Sequence, residues 1–141
     1  MDQMLEFVSN HLLLSVALIV IISLIMKMEL ERFTSDIAQI NPFEVIRQLN
    51  DQDALVVDVR ENKEYTEGHL KDAVHIPMSE LKSRVDELNK YKDKSIIAYC
   101  RSGNRSNSAC KTLKKAGFES VSNLQGGIMA WQNQNMPVSK K

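Results

Sequence analysis

Residues 95–106 are Ser95-Ile96-Ile97-Ala98-Tyr99-Cys100-Arg101-Ser102-Gly103-Asn104-Arg105-Ser106, and this stretch indicates both the fold and the position of a site. The run before Cys100 is apolar and of strand length, and the pattern over residues 107–116 predicts a helix. A cysteine therefore lies where a buried strand ends and a helix begins. In an open parallel α/β sheet, that edge is where ligands bind.

The surroundings of Cys100 favour a thiolate. The following helix directs free N–H groups and the positive end of its dipole toward the loop, which stabilises anions and lowers a cysteine pKa. Arg101 and Arg105 add positive charge, and Gly103 permits a tight turn with converging N–H groups. The alternative is a buried core cysteine, but the polar neighbours of Cys100 argue against a core environment.

The composition is that of an ordinary globular protein and excludes few functions. Eighteen basic residues balance eighteen acidic ones, so the net charge is zero and does not favour binding to nucleic acid. The two cysteines, Cys100 and Cys110, have neither metal-site spacing nor a disulfide-rich pattern. A reactive thiol requires a reducing compartment, so we expect the cytosolic side of a membrane.

An uncharged stretch near the N-terminus predicts a membrane anchor. Residues 7–26 carry no charge, and as a helix they rise roughly 30 Å, about the thickness of a hydrocarbon core. A signal peptide would need a basic start and a small-residue cleavage site, and a buried helix would be apolar on one stripe only. We therefore expect an anchor at residues 1–28 and a juxtamembrane linker at residues 29–36.

The charges that flank this stretch predict its orientation. The N-terminal flank has no Lys or Arg, whereas Lys27 and Arg32 follow the apolar run, so the C-terminal side should be cytoplasmic. The expected location is the inner (plasma) membrane, with a single span, the N-terminus outside and the catalytic domain in the cytoplasm.

Strands and helices alternate through the remainder of the chain. Helices are predicted after Asn41-Pro42, after Ser79 as cap, over residues 107–116 with Gly117 at its end, and from Gly126-Gly127. This alternation predicts an α/β domain with a largely parallel sheet. The predicted strands cover residues 37–40, 54–59, 74–76, 95–99 and 120–124.

Several motifs in this order resemble those of rhodanese domains. The motifs are Asp58-Val59-Arg60, Glu64-Tyr65, Gly68-His69-Leu70, Ala73-Val74-His75-Ile76-Pro77, the loop at residues 100–106, and Leu124-Gln125-Gly126-Gly127 followed by Trp131 and Pro137-Val138. The match spans about residues 37–138 and leaves residues 139–141 as a basic tail. The arrangement with an anchor is similar to that of small membrane-bound single-domain bacterial rhodaneses.

The resemblance implies a five-stranded parallel sheet flanked by helices and a sulfurtransferase reaction. The Cys100 thiolate would take the outer sulfur of a donor such as thiosulfate and pass it, as a persulfide, to a thiol or protein acceptor. The loop residues that would bind the donor are Arg101, Ser102, Gly103, Asn104 and Arg105, with the two arginines holding its oxygens. The reaction requires no metal or organic cofactor.

Four further residues are expected to support the loop and not to react. Asp58 and Arg60 should fix the loops at strand ends, with Arg60 paired to Glu64, and contact with the substrate is the alternative. His69 is expected to be a structural member of a Gly-His turn, and a general base is the alternative. The helical spacing of Cys110 with Ala109 and Leu113 favours a position in the core over the alternative, a disulfide with Cys100.

Two other functions remain open at this point. Related phosphatases have one more residue in the cysteine loop, so the six residues from Cys100 to Arg105 favour sulfur over phosphoryl transfer. Alternatively, a rhodanese fold can serve as a binding or regulatory module, here with possible membrane-protein partners. The presence of both Cys100 and Arg105 favours an enzyme.

Overall fold

The computed structural model describes residues 7, 10–34, 37–51 and 54–140, which form two separate units. One unit covers Met1–Asp36 and the other covers Ile37–Lys141. Parts of the expected anchor (residues 1–6, 8 and 9), linker (35 and 36) and tail (141) lie outside the described residues.

The first unit contains helix α1, Leu12–Thr34. Its segment Leu12–Leu30 is long and apolar enough to cross a membrane, and none of that segment is buried in the protein. Apolar side chains are exposed all along it, from Leu12 to Leu30. The helix continues without a break through residues 29–34, which the sequence assigns to the linker.

The second unit is built on a five-stranded sheet in which all strands are parallel, as predicted. The strand order is β1-β5-β4-β2-β3. The strands are β1 (Ala38–Ile40), β2 (Ala54–Asp58), β3 (Val74–His75), β4 (Ser95–Tyr99) and β5 (Val121–Leu124). The connecting helices are α2 (Pro42–Asn50), α3 (Asn62–Glu67), α4 (Leu81–Arg84), a 3-10 helix (Val85–Tyr91), α5 (Asn104–Lys115) and α6 (Gly127–Asn133).

Both faces of the sheet are covered, which explains why its central strands are apolar at successive positions. In β4, Ile96 and Ala98 pack into one core with Leu113 of α5. Ile97 and Tyr99 point to the opposite face and pack into a second core with Trp131 of α6. Because alternate side chains of a strand point to opposite faces, this strand supplies both cores and is held from both sides.

Helix boundaries follow local capping. The Asn41 side chain accepts a hydrogen bond from the Glu44 N–H at 2.9 Å and Pro42 begins α2, as predicted. Helix α5 begins at Asn104, three residues earlier than predicted, because the chain becomes helical directly after Gly103, whose φ is +100°. Gly117, with a φ of +95°, follows the end of α5 as expected.

Two local predictions were wrong or incomplete. Ser79 does not cap α4; the residue before that helix is Glu80, which makes no side-chain capping bond, and the helix soon gives way to the 3-10 helix. The charged segment after β2 contains α3, which hydrophobic periodicity did not reveal. This helix begins with a capping box formed by Glu61 and Glu64.

Candidate active site

Cys100 directly follows β4, the middle strand of the sheet, at the carboxyl edge where the sequence predicts a site. The residue is only 1% exposed. The loop from Arg101 to Gly103 then leads into α5. Because β4 packs against a core on each face, the position of Cys100 is fixed by the strand that precedes it.

The Cys100 sulfur is surrounded by hydrogen-bond donors. The Gly103 N–H donates to Sγ at 3.1 Å, and the Ser106 hydroxyl lies 3.4 Å from Sγ. The backbone N–H groups of Ser102 and Ser106 also direct hydrogen bonds toward the sulfur. The predicted nest of N–H groups is therefore formed by the loop and the first turn of α5.

These donors decide the charge of the sulfur. Burial disfavours a thiolate, but the hydrogen bonds from Ser106, Gly103 and Ser102 outweigh burial and lower the pKa of Cys100. Cys110 has no comparable surroundings. Its buried thiol donates to the Ser122 carbonyl at 3.3 Å, and burial raises its pKa to about 12.

Helix α6 fixes the outer side of the loop. The N–H groups of Ile128 and Met129 donate to the carbonyl oxygens of Cys100 and Arg101 at 2.8 and 3.2 Å. Gly127 permits this approach, because a Cβ there would overlap both carbonyl groups and lie 2.5 Å from the Arg101 carbonyl carbon and oxygen. With its carbonyls held outward, the loop turns its N–H groups toward the sulfur.

A polar network behind the sulfur was missed at the sequence level. The Ser106 hydroxyl lies 2.6 Å from Asn123 Oδ1, and Asn123 Nδ2 donates to the Gly103 carbonyl at 3.0 Å and to Gln39 Oε1 at 2.8 Å. Asn123 is 2% exposed and lies in β5. The available signal was the polar pair Ser122-Asn123 between two apolar residues of a predicted strand, because a buried amide requires partners.

Arg105 forms a bidentate ion pair with Glu64. Its Nη1 and Nη2 each donate to one Glu64 carboxylate oxygen at 2.8 Å. The predicted pairing of Arg60 with Glu64 is therefore wrong. Glu64, in the first turn of α3, pairs with the first turn of α5, while Arg60 is engaged elsewhere.

The partner of Arg60 is Asp58, and this pair supports the end of β2. Arg60 Nε and Nη2 donate to the Asp58 carboxylate at 3.0 and 2.6 Å, and Nη2 also donates to the Gly68 carbonyl at 2.7 Å. The Tyr99 hydroxyl donates to the same carboxylate at 2.6 Å. All of these groups are buried, which agrees with the expected structural role of Asp58 and Arg60.

His69 is fixed by backbone and ring contacts. Its Nδ1 donates to the Tyr65 carbonyl at 3.0 Å, and its ring stacks on Tyr65 at 3.9 Å between ring centroids. Its backbone exchanges hydrogen bonds with Ser139. The residue is 5% exposed, and these contacts are those of a structural residue.

Two clefts flank the loop. One, of about 430 Å³, is lined by Arg60, Glu64, Glu67, Gly68, Arg101, Ile128, Met129, Gln132 and Asn133. The other, of about 290 Å³, is lined by polar residues that include Ser102, Gly103, Asn104 and Asn123. The side chains of Arg101, Ser102 and Asn104 are exposed. Among the described residues, no group of three His, Cys, Asp or Glu is placed to hold a metal.

Curated relatives cover different shares of the chain. An uncharacterized protein of Escherichia coli K12, YibN, is 33% identical over 139 residues, which are 98% of this chain and 97% of YibN. A putative sulfurtransferase of Bacillus subtilis, YtwF, is 41% identical over 87 residues, 62% of this chain and 82% of YtwF. The alignment with YibN includes most of the N-terminal apolar stretch.

Solved structures share the fold of the second unit. A rhodanese-related protein from Thermoplasma volcanium superimposes with a TM-score of 0.67 at 31% identity, over 74% of this chain and 99% of that protein. A thiosulfate sulfurtransferase from Pseudomonas aeruginosa gives a TM-score of 0.69 at 25% identity, over 79% of this chain and 21% of the enzyme.

The family model named Rhodanese-like domain matches residues 41–134. These residues include the sheet from β2 to β5, the cysteine loop, both of its supporting helices and the ion pairs that flank it. The chain therefore belongs to the rhodanese-like domain family.

Proposed function

We propose that this protein is a sulfurtransferase that carries sulfane sulfur as a persulfide on Cys100. The observation that carries the proposal is the cysteine held at the centre of a nest of N–H groups, with its pKa lowered. The match to the family and the relatives named sulfurtransferase support a role in sulfur transfer.

The first step would be attack by the Cys100 thiolate on the outer sulfur of a donor such as thiosulfate. The S–S bond of thiosulfate breaks, a new S–S bond forms to Sγ, and sulfite leaves with the electron pair. In the second step, a nucleophilic acceptor attacks the outer sulfur of the persulfide, and the cysteine departs as a thiolate. A thiol or protein is the acceptor class we propose.

The loop supplies the hydrogen-bond donors that stabilise negative charge on sulfur in both steps. Negative charge is on Sγ before transfer and on the outer sulfur after it, so donors must surround both positions. The converging N–H groups of Ser102, Gly103 and Ser106 serve this purpose without moving. The exposed Arg101 lines the larger cleft, where it can attract an anionic donor.

The size of the loop favours sulfur over phosphate. Six residues from Cys100 to Arg105 form a narrow nest, and the Gly103 N–H already lies 3.1 Å from Sγ. A phosphoryl group with three peripheral oxygens needs a wider ring of donors. We therefore assign the nest to a single sulfur atom.

The deciding experiment locates the transferred sulfur. The protein is treated with thiosulfate, and intact and peptide mass spectrometry follow. We expect the mass of one sulfur on the peptide that contains Cys100, none on Cys110, and none in a Cys100→Ser variant. Cyanide should then release the sulfur as thiocyanate. Sulfur on Cys110 alone would refute the proposal, and sulfur on neither cysteine would refute thiosulfate as the donor.

We further propose that α1 anchors the enzyme in the inner membrane with its catalytic domain in the cytoplasm. The length and exposed apolar surface of Leu12–Leu30 support insertion, and Lys27 and Arg32 support the orientation. The enzyme would then meet its acceptor at the membrane surface, and the partner class that we propose there is a membrane protein.

A further inference from the structure

The ion pair between Arg105 and Glu64 occupies the group that is best suited to bind a doubly charged donor. A guanidinium offers a planar fork that matches two oxygens at once. Both prongs of Arg105 are used by the Glu64 carboxylate at 2.8 Å. The charge of a Cys100 thiolate contributes to raising the pKa of Arg105, after the larger effect of Glu64, so the pair lies within electrostatic reach of the sulfur.

Glu64 is held in this position from a second side. The Glu61 N–H donates to Glu64 Oε2 at 3.2 Å, as part of the capping box that begins α3. The hydrogen bond with Arg105 lowers the pKa of Glu64 to about 2, so its carboxylate stays ionised at any physiological pH. The side chain is 27% exposed, and it lines the larger cleft beside the loop.

Most of the positive charge beside the larger cleft is offset by carboxylates. Glu64 neutralises Arg105, and Glu67 of the same helix is exposed at the same cleft, which leaves Arg101 as the exposed cation of the loop. Thiosulfate has two negative charges and must approach a thiolate. A donor with one negative charge makes a smaller demand on the cations of the site.

We infer that Glu64 is a specificity-determining residue, which occupies the fork of Arg105 and thereby selects sulfane-sulfur donors of one negative charge over the thiosulfate dianion. The favoured class comprises organic thiosulfonates (R–SO2–S⁻) and organic persulfides (R–S–S⁻). This inference rests on the proposed sulfurtransferase function and deepens it by naming the class of donor.

Donors with one negative charge and the thiosulfate dianion react by the same steps, so a comparison of their rates isolates the effect of donor charge. With a thiosulfonate, the Cys100 thiolate attacks the terminal sulfur, the S–S bond breaks, and a sulfinate leaves with the electron pair. With thiosulfate, the leaving group is sulfite. Both reactions end in the same persulfide on Cys100, and no oxidant or reductant is consumed.

The test compares methanethiosulfonate with thiosulfate in the full-length protein and two variants. Glu64→Gln keeps the size and one acceptor oxygen but removes the charge and the second oxygen that hold both Nη groups of Arg105. Glu67→Gln removes the same charge from the same cleft. We expect kcat/KM for thiosulfate to rise about tenfold in Glu64→Gln, the lower end of what a hydrogen bond to a charged group provides. The value for methanethiosulfonate should change less than about twofold, on the same scale of interactions.

The ratio of the kcat/KM values for the two donors separates the effect of donor charge from indirect effects. A changed Cys100 pKa would alter both reactions alike and cancel in the ratio. If Glu64→Gln does not fold, Glu64→Asp provides the second test. Its shorter carboxylate keeps the charge but cannot reach both prongs, and thiosulfate use should rise by a smaller factor.

Three results would overturn the inference while leaving the proposed function intact. The first is an unchanged ratio of kcat/KM for thiosulfate to kcat/KM for methanethiosulfonate in Glu64→Gln. The second is an equal change of that ratio in Glu67→Gln, and the third is a lower kcat/KM for thiosulfate in Glu64→Gln. The last would mean that Glu64 positions Arg105 for the donor. By contrast, if neither donor places sulfur on Cys100 of the unmodified protein, the proposed function itself is refuted, and the inference with it.

Discussion

At the scale of single residues, the two cysteines show how position controls the charge of a thiol. Cys100 and Cys110 are both buried. Around Cys100, the N–H groups of the loop and α5 converge on the sulfur, whereas Cys110 meets a carbonyl oxygen and apolar side chains. Burial is common to both residues, so the hydrogen-bond donors make the difference.

This contrast predicts selective alkylation. Thiolates react with iodoacetamide and thiols do not, so a lowered pKa makes Cys100 reactive at a lower pH than a free cysteine. We expect Cys100 to be labelled at neutral pH and Cys110, with its pKa near 12, only after unfolding. Labelling rates between pH 5 and 9 (roughly the range in which cysteines titrate in proteins), read by mass spectrometry, provide the measurement.

The matched control for alkylation is Cys100→Ser. This variant should take up no label while folded and one label at Cys110 in denaturant. Rapid labelling of Cys110 in the folded variant would contradict the assigned surroundings of both thiols.

Ser106 is predicted to contribute directly to the thiolate. Its hydroxyl lies 3.4 Å from Sγ and 2.6 Å from Asn123 Oδ1, so the single hydroxyl proton is shared between two acceptors. Ser106→Ala should raise the Cys100 pKa and slow alkylation at neutral pH by about fivefold, as expected for one weak hydrogen bond. Ser108→Ala, an exposed serine of the same helix, should leave the rate unchanged.

At the scale of elements, α6 acts on the chemistry without touching the sulfur. Its first N–H groups hold the carbonyls of Cys100 and Arg101, and Gly127 allows the two backbones to meet. The Gly-Gly pair of the family motif before Trp131 therefore has a physical reason. A side chain at the second glycine would enter the space of the loop.

This packing predicts that Gly127→Ala disables the site. The new Cβ would overlap the Cys100 and Arg101 carbonyls, and the positive φ of +60° adds strain. We expect sulfur transfer to fall by about 100-fold, because the overlap with both carbonyl groups forces the loop to shift and a misplacement of about 1 Å has an effect of that size. Gly117→Ala is the control, since it also has a positive φ but open space around it. It should cost about 1–2 kcal/mol of stability and retain activity.

Comparison of these elements with the sequence shows which features were predictable. The strand before Cys100 and the capped start of α2 depend on neighbouring residues, and both were predicted. Helix α3 was missed because its capping box is polar and the segment lacks an apolar stripe. The Arg105–Glu64 pair was missed because the two residues are 41 positions apart in the sequence, and only the tertiary fold brings them together.

At the scale of the whole molecule, the apolar surface of α1 leads to a prediction about location. The full-length protein should remain with membranes after a carbonate wash, and a reporter at its C-terminus should give a cytoplasmic signal. Ile21→Arg, near the middle of the apolar segment, should weaken insertion by about 2.5–3.5 kcal/mol. Ile21→Leu is the matched control. Release of the unmodified protein into the soluble fraction would refute the anchor.

The carbonyls of Cys100 and Arg101 accept hydrogen bonds from Ile128 and Met129, and this has a spectroscopic consequence. An amide resonance is sensitive to the polarisation of the carbonyl that it faces. When the sulfur gains or loses an atom, the peptide units of the loop repolarise, and the amide peaks of Ile128 and Met129 should move in a ¹H–¹⁵N correlation spectrum. In ¹⁵N-enriched protein, two amides on a neighbouring helix would thus report the occupancy of the sulfur without a chemical modification, a mutation or a chromophore.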